Sequence, residues 1–201
     1  MDILKALLAD GEAPKPVDFE DDIKKYLLIG CGHSLDKRIA FTSDKGNDSP
    51  ETEFIGQLVT VDWRKYPDQR SNPSIVADLN VLPYDFGEDY DEIHAYEVLE
   101  HCGAQGDADF FFGQFNEFHR MLKPDGLMMI TVPVWNSVVA WGVPDHKRVM
   151  PLNLFSFLEE RCYENVGKPG FADYRHLIKG FWEIVLWGED NSAMRLVLRR
   201  I

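Results

Sequence analysis

The chain has only three cysteines in 201 residues, Cys31, Cys102 and Cys162, and no C-x-x-C pair. An odd number at wide spacing argues against a disulfide framework and against a zinc site built from paired thiolates, so reduced thiols in a cytoplasmic protein are expected. No apolar run approaches the ~18–20 residues needed to span a bilayer. The opening MDILKALLAD is short and acidic, without a basic head, so a secretory leader is not expected. Positive charge is the third shortage: 21 Lys and Arg stand against 34 Asp and Glu, a formal net charge of −13. Such a surface repels phosphates, which speaks against coating of bulk nucleic acid while leaving room for a local basic cleft. Internal repeats and low-complexity segments are also missing.

What remains is the material of a folded domain. Apolar residues make up 45% of the chain, enough for one substantial core at this length. ILKALLAD has helical spacing and is broken by GEAPKP, so residues 1–24 read as an N-terminal helical extension and 25–201 as a single domain. Within that domain KKYLLIG, GQLVTVDW, SIVADL, YDEIHAYEVL and LMMITVPV read as five strands. Helices are expected over SLDKRIAF, over DADFFFGQFNEFHRMLK up to a KPDG turn, and over PLNLFSFLEERC with Pro151 in its first turn. TSDKGNDSPETEF is a polar loop. FWEIVLW and AMRLVLRRI flank GEDNS as a closing hairpin. Strands alternating with helices give an α/β fold: a mostly parallel seven-stranded sheet covered on both faces, in three layers, with an antiparallel C-terminal hairpin.

In open sheets of this kind ligands lie beyond the carboxyl ends of the strands. Gly30, Cys31 and Gly32 follow the first strand, Asp62 and Trp63 the second, Asp78 and Leu79 the third, EVLEH the fourth and VPVW the fifth. Glycines let a ligand approach the main chain, or simply make a tight turn. An acid ending the second strand can accept hydrogen bonds from both hydroxyls of a ribose. Asp78 could take the exocyclic amine of adenine, with Trp63 or Leu79 against the base. In this order the set describes a pocket for an adenosine-containing ligand.

LLIGCGHS, VTVDW, VADLNVLPYDFGEDYDEIHAYEVLEH, FNEFHRMLKPDGLMMITVP and PDHKRVMPLNLFSFLEE together resemble the successive motifs of class I S-adenosylmethionine-dependent methyltransferases, in particular the small single-domain group. The resemblance runs from about residue 25 to about 160. It implies a Rossmann-like sheet, S-adenosylmethionine as cofactor, and methyl transfer to an acceptor that is a small molecule or a protein or nucleotide group. It also implies site roles: Gly30, Cys31 and Gly32 at the methionine and ribose end, Asp62 on the ribose, Trp63 against adenine, Asp78 and Leu79 at the adenine edge, and Glu97 opening the segment beside the sulfonium. The chain departs from the family pattern at Leu28, where an acid is usual, and at Ser34, where a third glycine is usual.

Methyl transfer from a sulfonium is an in-line displacement with a good leaving group, so positioning dominates. A base helps where the acceptor must lose a proton. Glu97, Glu100, His101 and His146 are available, and His101 is chosen because histidine titrates near neutrality. Trp135 and Trp141 could form an apolar wall for the acceptor, with His146, Lys147 and Arg148 holding an anionic group, or the whole stretch could be a packed surface loop. Phe110, Phe111, Phe112 and Phe115 read as helix core. No metal site is expected from His94, His101 and Cys102. Two other readings remain: a Rossmann-type NAD-dependent oxidoreductase, against which Leu35 stands where G-x-G-x-x-G needs its third glycine, and a methyltransferase-like module that binds without catalysis.

Overall fold

The computed structural model describes residues 23–39, 53–66 and 72–201. The expected N-terminal helix and most of the polar loop lie outside those residues. Seven strands form one sheet: β1 (Lys25–Ile29), β2 (Gln57–Asp62), β3 (Ile75–Val76), β4 (Tyr90–Tyr96), β5 (Leu122–Pro133), β6 (Trp182–Glu189) and β7 (Ala193–Arg200). Their order is β3-β2-β1-β4-β5-β7-β6. The first five run parallel; β7 is antiparallel to β5 and to β6, as the hairpin reading requires. The order reverses between β1 and β4, and a crevice is expected there, outside the carboxyl ends of both strands.

Side-chain alternation explains the two cores. Leu27 and Ile29 of β1 point to one face with Val61, Ile93, Ala95, Met128 and Ile130. That face is covered by α1 (Ala108–Met121), which buries Phe111, Phe112, Phe115, Phe118 and Met121; the phenylalanines are core, as their spacing predicts. Asp107 caps α1 by accepting the Phe110 N–H at 2.9 Å. Leu28 faces the opposite way and packs with Cys31, Ile39, Tyr96, Met129 and Val197.

The second face also holds a buried polar chain. Tyr96 Oη accepts the Arg38 and Ile39 N–H groups, each at 3.2 Å. Its own proton then goes to His94 Nδ1, 2.6 Å away, which leaves His94 Nε2–H to donate to Glu92 at 3.0 Å. Burial keeps His94 neutral by lowering its pKa. Lys37 meets the same Glu92 carboxylate at 2.9 Å. Burial alone pushes the Glu92 carboxyl up, but the bonds from His94 and Lys37 outweigh it and hold the pKa at about 2.

Three expectations need correction. Ser34–Ile39 is not helical: Ser34 Oγ is spent on Asp36, and the Arg38 and Ile39 amides are taken by Tyr96. KPDG does not separate α1 from the fifth strand. It bulges inside β5, with Asp125 at φ 61°, while Tyr90 pairs with Leu122 and Glu92 with Leu127. The helix over 151–162 stops early, as α3 (Leu152–Ser156), and Glu160–Tyr163 forms a separate 3-10 turn. There the Leu158 carbonyl accepts from Trp182 N–H and the Glu159 carboxylate from Ile184 N–H, so docking on β6 draws the chain out of the helix.

Replacing Glu92 by Gln should destabilise the protein by about 3–5 kcal/mol at pH 7, the usual cost of breaking a buried ion pair. The pKa of Glu92 in the fold lies below its ordinary value. Its contribution is therefore complete above about pH 4.5 and is lost as pH falls toward about 2. Urea unfolding of the parent and Glu92→Gln is expected to show a difference that narrows steadily below pH 4.5.

Candidate functional site

A cavity of about 440 Å³ opens at the carboxyl end of the sheet. Each strand around the order reversal contributes to its lining: Gly30 after β1, Asp62 and Trp63 from the end of β2, Asp78, Leu79 and Asn80 after β3, and Val98, His101 and Cys102 after β4. Six of these nine, Gly30, Asp62, Trp63, Asp78, Leu79 and His101, are residues singled out from the sequence.

Asp62 is buried, yet its carboxylate is placed at the cavity by two backbone amides. Gly32 N–H donates to Oδ2 and Trp63 N–H to Oδ1, both at 2.7 Å. Tyr66 Oη–H also reaches Oδ1, at 3.4 Å, so beyond the two short amide bonds the carboxylate meets only this long contact and a thiol. Cys31 Sγ lies 3.9 Å from Oδ2. Burial first, and then the Asp62 charge, push the Cys31 thiol up to about 11. Cys31 therefore stays protonated, and its side chain belongs to the second core rather than to the cavity wall.

The two glycines have different reasons to be glycine. Gly30 has φ 64°, and a Cβ there would stand 2.5 Å from Val98 Cγ2 and 2.7 Å from Val98 Cβ. Gly32 has φ 51°, and a Cβ would meet nothing nearer than the Gly30 carbonyl oxygen at 4.0 Å. The first is fixed by packing; the second borders open space.

Asp78 is exposed and forms an Asx turn, with Asn80 N–H and Nδ2 both donating to Oδ1 at 2.9 and 2.7 Å. Those bonds, first the backbone one, lower its pKa. Asn80 Oδ1 in turn accepts from Gly103 N–H and Lys147 Nζ, linking this turn to the segment after β4. Trp63 is 65% exposed and Leu79 is buried, so one forms the outer lip and the other the floor. Glu97 is outside the lining set. It has a positive φ of 52°, uncommon for a side chain other than glycine, and its N–H donates to the Thr131 carbonyl.

His101 sits in the 3-10 turn Leu99–His101 with its Nδ1 3.2 Å from the Asp145 carbonyl and 3.3 Å from the Asp145 carboxylate. Its ring meets His146 edge to face, centroids 4.8 Å apart. Glu100 lies between them and the core. It is 2% exposed, and burial pushes its pKa up to about 8.

The acceptor wall expected after β5 is not assembled at this cavity. Trp135 and Trp141 are exposed, and Trp141 Nε1–H donates to the Trp135 carbonyl at 2.7 Å. Trp135 precedes α2 (Val138–Gly142) and Trp141 lies within it, both outside the lining set. Arg148 is buried and gives its Nε to the Leu99 carbonyl at 2.9 Å and Nη2 to Gln114 Oε1. It lines a second, smaller cavity of about 160 Å³ with Phe111, Phe112, Phe157 and Tyr174. Three lining residues escaped the sequence reading. Asn80 was findable from the D-x-N turn pattern. Val98 and Cys102 had no signal beyond their place after β4.

No family model and no curated protein matches the sequence. Solved structures do match, over most of the chain. An S-adenosylmethionine-dependent methyltransferase from Clostridium acetobutylicum is 9% identical, covering 88% of this chain and 84% of that one, with TM-score 0.51. A chain of the Haloferax volcanii complex that contains the Trm112 methyltransferase activator is 12% identical, with 88% and 82% covered and TM-score 0.51. A protein of Pyrococcus horikoshii is 15% identical, with 91% and 84% covered and TM-score 0.50. This chain shares their fold, the Rossmann-like class I methyltransferase fold anticipated from the motifs.

The split between the glycines is testable. Gly30→Ala should destabilise by about 1–3 kcal/mol from overpacking, in addition to the left-handed backbone cost. Gly32→Ala should bear only the backbone cost of about 1–2 kcal/mol. Thermal melts are expected to place Gly30→Ala lower, with Val98→Ala restoring part of the loss in Gly30→Ala and none in Gly32→Ala.

Proposed function

We propose that this chain is an S-adenosylmethionine-dependent methyltransferase acting in the cytoplasm on a small molecule or a protein or nucleotide group. The observation that carries the reading is Asp62. Its carboxylate is fixed by two short backbone amide bonds at the end of β2, where the cavity meets the order reversal between β1 and β4, and its other contacts, Tyr66 Oη at 3.4 Å and Cys31 Sγ at 3.9 Å, are long enough to yield to ligand hydroxyls. An acid there suits the two hydroxyls of a ribose.

The cavity's residues fit such a cofactor. Its volume of about 440 Å³ falls in the small-molecule range. Gly32 lies outside the lining set, and the open space beside it leaves its backbone free for close approach. Asp62 would hold the ribose, Asp78 the adenine amine, and Trp63 and Leu79 the faces of the base. Gly30 and Gly32 would border the methionine end, with Cys31 supporting their turn from the core side and Glu97 starting the segment toward the acceptor. Leu28 is embedded in the second core, so the acid usual at that position has no counterpart here and the cofactor's amino group would rely on the backbone and on other residues.

When bound, the cofactor supplies an electrophilic methyl group on a sulfonium. This chain's residues position the acceptor for in-line attack and keep water out. Where the acceptor must lose a proton, His101 at the cavity wall is the group offered to take it. The comparisons support this reading through the fold, and the site residues support it through their placement. Among the described residues no helix is long and apolar enough to cross a membrane.

Calorimetric titration tests the assignment. The parent is expected to bind S-adenosylhomocysteine in preference to NAD. Asp62→Ala should weaken that binding about ten- to hundredfold, corresponding to ~1.5–3 kcal/mol for hydrogen bonds to a charged acceptor. Tight NAD binding without S-adenosylhomocysteine binding would favour the oxidoreductase reading. An unchanged affinity in folded Asp62→Ala would remove the ribose contact.

A further inference from the structure

Beside the proposed cofactor cavity three side chains converge, of which the methyl-transfer reading uses only His101. Glu100, His101 and His146 each offer a ligand atom, and those atoms all lie within 4.8 Å of one another. Two of the three are starved of partners. Both Glu100 carboxylate oxygens are buried with no hydrogen bond, and so is His146 Nδ1. A buried carboxylate without a partner is costly whichever form it takes. Ionised it needs a cation, and protonated it needs an acceptor for its O–H. The nearest basic atom, His101 Nε2, stands 4.0 Å from Oε1, beyond hydrogen-bond reach. The Arg148 guanidinium is committed to Leu99 and Gln114 instead.

The third ligand is oriented from behind. Asp145 receives His101 Nδ1–H on both its carbonyl and its carboxylate oxygens, which leaves the Nε2 lone pair on the side of Glu100. A carboxylate or carbonyl behind a histidine is the usual support of a metal-bound imidazole. The backbone holds the two halves together, because the Glu100 carbonyl accepts both Lys147 N–H at 2.8 Å and Arg148 N–H at 3.2 Å. That pairing pins the segment carrying His146 against the turn carrying Glu100 and His101.

We infer that Glu100, His101 and His146 bind a divalent transition-metal ion of the zinc and cobalt kind, through one carboxylate and two imidazole nitrogens, at the wall of the cavity that His101 lines. Two imidazoles and one carboxylate favour such ions over magnesium or calcium, which take all-oxygen sets. Ligands held at about 2.0–2.2 Å from one ion in tetrahedral geometry stand roughly 3.3–3.5 Å apart, so the set closes by about an ångström on binding. Three protein ligands leave a coordination position open, the arrangement of a site that also binds water or substrate. A bound ion and proton transfer by His101 exclude each other, since its one free lone pair goes to the ion. In the loaded chain an acceptor hydroxyl would instead lose its proton through coordination. The inference does not depend on which cofactor fills the neighbouring cavity.

Cobalt(II) is the probe. Full-length protein stripped with a chelator and titrated with Co²⁺ should take up about one equivalent per chain, with visible ligand-field absorption and a raised melting temperature. Excess Mg²⁺ should not displace it, and Zn²⁺ should. His146→Ala, His146→Asn and Glu100→Gln should each weaken Co²⁺ by more than about tenfold, while His176→Ala, at an exposed histidine, should bind like the parent. Far-UV dichroism confirms that each variant is folded. Absence of Co²⁺ uptake by the parent overturns the inference, as does uptake that folded His146→Ala and His146→Asn retain. Displacement by Mg²⁺ at equal concentration overturns the choice of metal class.

Discussion

The carboxylate of Asp62 bonded to the Gly32 and Trp63 amides is the interaction on which the site depends. It joins the turn after β1 to the end of β2 at the place where the sheet order reverses. It adds to the Gly30 and Cys31 amides on the Val61 carbonyl and the His33–Tyr66 ring contact, and among the described residues it supplies the cavity wall's one buried charged group. The same bond explains the chemistry nearby. Burial first, and then this fixed negative charge, keep the Cys31 thiol protonated, which suits a residue whose side chain packs into the second core. It also draws the Gly32 N–H inward, so the remaining face of Gly32 is the one that borders open space.

Much of this could be read before any coordinates. Apolar runs ending in glycine or acid gave the strands, because a buried parallel strand needs continuous hydrophobicity and its end must turn. The α1 helix was legible from Phe111, Phe115, Phe118 and Met121, since that spacing makes one face. The acids at 62 and 78 were legible because the fold places ligands at strand ends. Long-range contacts erased the rest. Nothing local says that Tyr96 will take the amides of Arg38 and Ile39 and so deny them to a helix. Nothing local says that Ile184 will take Glu159 and shorten α3. Arg148 looked like an anion ligand by its neighbours His146 and Lys147, but the Leu99 carbonyl and Gln114 hold it in the core. Trp135 and Trp141 looked like a wall by composition, yet they bond to each other on the surface.

The polar residues are divided between the two ends and faces of the sheet by what satisfies them. On the second face Lys37, Glu92, His94 and Tyr96 form a chain in which each buried atom finds a partner, and the result is structural. At the carboxyl end the Glu100 carboxylate oxygens and His146 Nδ1 lack hydrogen bonds, and the cavity that His101 lines lies beside them. Buried groups that the fold leaves unsatisfied are where an added ligand gains most, so the contrast between these two clusters separates scaffold from site.

The central claim is that the crevice between the ends of β1 and β4 holds the adenosine of S-adenosylmethionine. A crystal structure of the chain grown with S-adenosylhomocysteine measures this most directly. The account predicts the ribose hydroxyls on the Asp62 carboxylate, the adenine between Trp63 and Leu79 near Asp78, and the homocysteine end passing Gly32. A ligand bound elsewhere on the chain, or a crevice that stays without ligand at saturating concentration, contradicts it.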